Sequence, residues 1–321
     1  MTTAAVRAEE LIQLKNLLYV TDFCQPSEAA LPFASALARR YDATVHALHV
    51  LTLNRYAPGV VAFEAETEAA RGYMQQVESQ LANVKHHMIL ERAVDVWAGV
   101  EQATQDTAAD LIILGTHGRT GAQRFLLGSV AENIFRRSLQ PVLTVGPGVR
   151  TSAHHGGRFH RILFATDYSP ASLVAAPYAI SLAENNQARL LLLHVAPTIE
   201  PGKSDRKSER SVAEMIQRLY DTVPANAELS IPPEVSVEYG DPADKIIEAA
   251  WHRSADLVVL GVRSAHGHLA SATHVERATA HEVVARATCP VLTVREQFKA
   301  TGTQHLGTEH HGDIHADIDQ P

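Results

Sequence analysis

Residues 109–145 read ADLIILGTHGRTGAQRFLLGSVAENIFRRSLQPVLTV. The apolar run Leu111-Ile112-Ile113-Leu114 is short, branched and closed by Gly115, which suits a parallel strand buried on both faces. Gly115-Thr116-His117-Gly118 follows, then nine residues, then Gly128-Ser129. Beyond Ser129 the pattern turns helical, with Val130, Ile134 and Leu139 as the expected buried stripe and Glu132, Arg136 and Arg137 as the polar side. Ser129 followed by Glu132 fits a capping box and places the helix start at Ser129. Pro141 closes the helix, and Val142-Leu143-Thr144-Val145 reads as the next strand. The order is strand, glycine loop, helix, strand.

Such a loop favours an anion. Glycines bring the backbone close to a ligand and turn amide hydrogens toward one point. Gly128-Ser129 stands at a helix N-terminus, where unpaired amides and the macrodipole attract phosphate. The alternative is that Ser129 merely caps the helix and the glycines merely make tight turns. Glycine spacing alone leaves both readings open, and neither G-x-x-x-x-G-K-[S/T] nor G-x-G-x-x-G after a strand is present.

Gly-x-x-Gly, nine residues, Gly-Ser, set within ILGTHGRTG and RFLLGSVAENI, closely resembles the ATP-binding signature of the universal stress protein family, of the UspA-like type. The resemblance implies a Rossmann-like, adenine nucleotide alpha hydrolase-like α/β fold, and ATP, with Mg²⁺, as the ligand.

An internal repeat sets the architecture. Thr21-Asp22 recurs as Thr166-Asp167 and His49-Val50 as His194-Val195; Ala109-Asp110-Leu111 recurs as Ala255-Asp256-Leu257, and Pro141–Val145 returns intact as Pro290–Val294. A period of about 146 residues is too long for a solenoid unit and describes a duplicated domain. The expected organisation is a first domain over 14–147 with an intact signature, a linker over 148–158, a second domain over 159–296 with a degenerate one, and a His-rich disordered tail over 297–321. In the first copy, strands are expected at 16–21, 44–50, 85–91, 111–114 and 142–145. The helices between them run from Pro26 to about Arg40, to about Asn83, from Val96 to Thr107, and from Ser129. Alternation of this kind gives an open parallel sheet with helices on both faces, and ligands bind beyond the strands' carboxyl ends at a switch point.

Asp22 lies just past the first strand. Its carboxylate can accept a hydrogen bond from a ligand, or it can make an Asx-type turn into the helix near Pro26. The family resemblance implies that a first-strand Asp and a second-strand Val contact adenine while the glycine loop holds ribose and phosphates. Asp22, Val50, Gly115, Gly118, Gly128 and Ser129 occupy the matching positions. In the second copy Ser264 stands where Gly118 would be, and Arg277-Ala278 where Gly128-Ser129 would be. That copy is therefore expected not to bind ATP in the family's way. The resemblance also implies that the copies pair about a pseudo-twofold through their fifth strands, as an intramolecular pseudo-dimer, with a further homodimer left open.

Composition excludes several classes. A net charge of −8 without a basic run argues against nucleic acid, and two cysteines, Cys24 and Cys289, give no disulfide framework and fit a reducing compartment. No apolar run reaches membrane length, and Met1–Glu10 lacks a signal peptide's regions, so a cytoplasmic protein is expected. His266, His268 and His274, with four more in the tail, match no zinc spacing. No nucleophile elbow, HExxH or arginine finger marks an enzyme, and no catalytic residue is assigned. Three readings follow: a nucleotide-responsive stress-response protein with an unknown protein partner, a weak ATPase, and a scaffold that binds no nucleotide.

Overall fold

The computed structural model describes residues 12–52, 60–116, 127–149, 158–198, 206–263 and 273–296. Among these residues, branched apolar runs bounded by polar turns give ten strands, and the segments between them give ten helices. The first unit contains β1 (Asn16–Val20), α1 (Gln25–Glu28), α2 (Leu31–Tyr41), β2 (Thr44–Thr52), α3 (Val60–Leu81), β3 (His86–Ala93), α4 (Val96–Asp106), β4 (Leu111–Gly115), α5 (Ser129–Arg137) and β5 (Val142–Val145). The second contains β6 (Arg161–Ala165), α6 (Pro170–Leu173), α7 (Ala176–Asn186), β7 (Arg189–Ala196), α8 (Arg206–Tyr220), β8 (Glu234–Tyr239), α9 (Pro242–His252), β9 (Leu257–Val262), α10 (Thr273–Arg286) and β10 (Val291–Arg295).

The strands form one ten-stranded sheet in the order β3-β2-β1-β4-β5-β10-β9-β6-β7-β8. Every pairing is parallel except β5 with β10, which is antiparallel with Leu143 opposite Leu292. Alternate residues of each strand feed the two faces. Leu17, Tyr19, Ile113 and Phe164 belong to one core, and Leu18, Val20, Ile112 and Leu163 to the other. Both cores run across the seam, through Leu143 and Leu292 on one face and Val142 and Val291 on the other.

The seam is also tied by side chains. Thr144 Oγ1 donates to the Val291 carbonyl at 3.1 Å, and Thr293 Oγ1 to the Val142 carbonyl at 3.3 Å. Arg295, buried at the end of β10, donates from Nη2 to Phe135 O at 2.6 Å and from Nε to Ser138 O at 2.9 Å. Those carbonyls close α5, where a helix leaves orphan acceptors and favours a cation.

The single helix expected from Pro26 to Arg40 is two helices with a turn at Ala29–Ala30. Pro32 has no amide to donate to the Glu28 carbonyl, so the first helix cannot run through. Pro177 does the same between α6 and α7. The α5 stripe also differs from expectation. Ala131, Ile134 and Phe135 are buried, whereas Val130 is 42% and Leu139 56% exposed. The helix ends at Arg137, short of Pro141, because Ser138 turns extended and its hydroxyl bonds to Gln140. Leu139 therefore lies beyond the helix and outside its periodicity. The linker residues 150–157, the tail 297–321, and His266 and His268 lie outside the described residues, as does the side chain of His274.

Candidate functional site

The strand order of the first unit reverses between β1 and β4, and the carboxyl ends of those two strands form its switch point. At the end of β1 the chain makes a tight turn. Asp22 Oδ1 accepts from the Cys24 amide at 3.1 Å, and Thr21 Oγ1 from the Phe23 amide at 3.0 Å. Phe23 adopts φ 61°, a left-handed conformation that costs a non-glycine residue energy unless its surroundings hold it. They do so here: the Phe23 ring lies 4.2 Å from the His49 ring and 5.2 Å from the Tyr73 ring. His49 Nδ1 in turn donates to the Thr21 carbonyl at 2.8 Å, which fixes its tautomer. Burial pushes the Asp22 carboxyl up, but hydrogen bonds from Cys24 and Ser27 outweigh it and hold the group below its usual value. The Asx turn is therefore formed.

The same turn is built in the second unit. Asp167 Oδ1 accepts from Ser169 N at 2.9 Å, Thr166 Oγ1 from Tyr168 N at 3.0 Å, and His194 Nδ1 donates to Thr166 O at 2.8 Å. Tyr168 has φ 63°, and its ring lies 4.3 Å from that of His194. Sequence reasoning used Thr-Asp and His-Val as repeat markers and missed that they are one structural device, the His of the second strand bracing the turn after the first.

Val50 lies in β2 and is buried. It is overlaid by α4, which approaches so closely that a Cβ on Gly99 would come within 2.7 Å of Val50 Cγ2. Gly115 ends β4, and Thr116 leads from it, with its amide on the Val145 carbonyl. The Thr116 carbonyl accepts the Gly128 amide at 2.7 Å, which places the start of α5 against the end of β4. Gly118, with His117, Arg119 and Arg124, lies outside the described residues.

The capping box expected from Ser129 and Glu132 is not formed. Gly128 is the N-cap, with φ −60° and ψ 146°, and the first intrahelical donor is the Glu132 amide onto Gly128 O at 2.8 Å. That register puts Glu132 one residue too deep to reach back, and it pairs with Arg136 at 3.1 Å instead. Because the cap residue has no side chain, the Ser129, Val130 and Ala131 amides receive nothing from it. Among the described residues no group of His, Cys, Asp and Glu is arranged to hold a metal ion.

Duplicated α/β units, each reversing strand order beside a Thr-Asp-aromatic turn, define a tandem Rossmann-like protein. A model of the universal stress protein family matches residues 13–146 and 158–295, and the chain belongs to that family, as a two-domain member. It is similar to the universal stress protein MJ0577 of Methanocaldococcus jannaschii, 30% identical over 158 residues, covering 42% of this chain and 96% of that one. Universal stress protein Rv2005c of Mycobacterium tuberculosis is 27% identical over 198 residues, 59% of this chain and 62% of that one. Among solved structures, a universal stress protein from Archaeoglobus fulgidus superposes with a TM-score of 0.68 at 21% identity, over 88% of this chain and 99% of that one. That last likeness shows the fold across both units. No helix among the described residues is long and apolar enough to cross a membrane.

Proposed function

We propose that this chain is a nucleotide-responsive stress-response protein that binds ATP, with Mg²⁺, in its first unit. Asp22 and Val50 would take the adenine, and Gly115, Gly118, Gly128 and Ser129 the ribose and phosphates. The observation that carries the reading is the start of α5. A helix whose cap residue lacks a side chain, held against the end of β4 by Gly128 N–Thr116 O, offers amides and a positive dipole end to an anion. The domain limits 14–147 and 159–296, the linker 148–158 and a cytoplasmic setting belong to the same reading. The two units act as an intramolecular pseudo-dimer whose pseudo-twofold axis passes through the β5–β10 seam. The reading assigns no catalytic residue, and any partner protein would respond to ATP occupancy.

The test is calorimetric titration of Mg·ATP into the whole chain beside Gly128→Val. A branched side chain at the N-cap would block approach to the α5 amides. One site per chain, weakened at least tenfold in the variant with its fold unchanged by circular dichroism, is the expected result. Absence of binding by the wild-type chain would leave the scaffold reading in its place.

A further inference from the structure

The outermost strands of the sheet, β3 and β8, are built differently. β8 is entered through Pro232-Pro233, and it carries two carboxylates on one face, Glu238 and Glu234, the latter between Arg189 and Arg253. Proline and charge on an edge discourage the addition of a further strand. β3 has neither proline nor lysine, and Met88-Ile89-Leu90 in its middle are only half-buried. The Val45 amide donates to Lys85 O, and a parallel ladder repeats every second residue. The amides and carbonyls of Met88 and Leu90 therefore point away from β2.

Beside β3 runs a groove of about 460 Å³, walled by Met88, Leu90 and Arg92 on the strand and by Arg71, Met74 and Glu78 on α3. Met74, Val77 and Leu81 of that helix are buried, whereas the Arg71 and Glu78 side chains are 62% and 53% exposed. Glu78 Oε1 lies 3.9 Å from His86 Nε2, which sets this flank of α3 over the start of β3. Arg71 reaches Glu68 on its own helix, an exposed pair of the kind that contributes little.

Strand and helix are self-complementary about one axis. A twofold perpendicular to the sheet beside Ile89 sets Ile89 opposite its own copy, Met88 opposite Leu90, and His87 opposite Glu91. Met88 and Leu90 then exchange their outward backbone hydrogen bonds, and their side chains close the groove. The same axis passes Met74, which lines the groove with Met88 and Leu90, and it runs the two α3 helices antiparallel. Arg71 lies three residues before Met74 and Glu78 four after it, so each meets the other's copy, twice over. Helices on one face of a sheet stand about 10 Å apart, a gap that an arginine and a glutamate span. The corresponding axis at Ser236 of β8 would set Glu234 against Glu238, like charges directly opposite.

We propose that two copies of this chain pair through β3 and α3 as an isologous dimer, which joins their sheets edge to edge with Arg71 of each copy against Glu78 of the other. The pairing is independent of whether either unit holds a nucleotide.

The test is sedimentation equilibrium of the whole chain without nucleotide, which should show a dimer in equilibrium with monomer. Leu90→Lys puts a charge on the half-exposed edge and should weaken association at least tenfold, with circular dichroism unchanged. Arg71→Glu, on an exposed helix flank and so safe for folding, sets like charges in both symmetry-related pairs and should also weaken association at least tenfold. Adding Glu78→Arg to it restores opposite charges, and association should return to within threefold of the wild-type chain. A monomer at every concentration up to the solubility limit overturns the proposal. So does a dimer unchanged by Leu90→Lys or by Arg71→Glu, or one that the reversed double variant fails to restore.

Discussion

The guanidinium of Arg295, from the last strand of the second unit, donates to the main-chain carbonyl of Phe135 in the first, at 2.6 Å. It also holds Ser138 O and Arg263 O, so one buried side chain ties the end of α5 to the segment after β9. Arg295→Met keeps most of the stem and removes the donors. Each carbonyl left buried without a partner costs about 1–3 kcal/mol. Urea denaturation should show a loss of that order, and two transitions in place of one if the seam is what couples the units.

Gly99→Val should destabilise the first unit. Its Cβ would meet both Val50 methyl groups, at 2.7 and 2.8 Å, and a β-branched valine cannot swing aside. Overpacking of this kind costs about 1–3 kcal/mol. The double variant Gly99→Val with Val50→Ala should recover much of it, which thermal denaturation of the four chains would read as a non-additive cycle.

Asp22 carries a pH dependence whose sign is fixed. Its folded-state value lies below the ordinary 3.8, so its contribution is fully present above that pH and is lost as pH falls through the folded value. Asp22→Asn keeps an oxygen for the turn and removes the charge. Stability profiles of the two chains should run parallel from pH 8 down to about 5 and converge in the acid range below the usual carboxylate value. A difference that persists unchanged to pH 2 would show that the charge is not what the turn uses.

The two thiols should report folding separately. Burial, reinforced by the nearby Asp256 charge, pushes the Cys289 thiol up to about 12, while Cys24 is half-buried and raised by burial and its bond with Asp22. Neither holds much thiolate at neutral pH, and only Cys24 is within reach of solvent. Iodoacetamide at pH 8 should label Cys24 slowly and Cys289 only at the rate of opening. Equal labelling of both would contradict the burial of Cys289.

The duplication and the strand-helix alternation were legible because the repeated words do the same work twice. Asp110 accepts the Lys15 and Asn16 amides, and Asp256 accepts those of His160 and Arg161, so Ala-Asp-Leu marks where β4 and β9 enter the sheet. The start of α5 at Ser129 was legible, but the capping box was not formed: Gly128 is the N-cap, its amide set by a partner twelve residues back in sequence, Thr116 O. The close approach of Gly99 to Val50 carried no signal. A glycine inside a helix states its reason only when the strand beneath it is known.

The β5–β10 pairing has a consequence for assembly. Each of these strands is hydrogen-bonded on both sides, β5 to β4 and β10, and β10 to β5 and β9. The chain is thus saturated along both of these strands, the last of each unit. Among the described residues the strands with an unpaired flank are β3 and β8, at the far ends of the sheet. A second copy that lengthened this sheet would have to add at β3 or β8, because the pairing at its middle is already made within one chain.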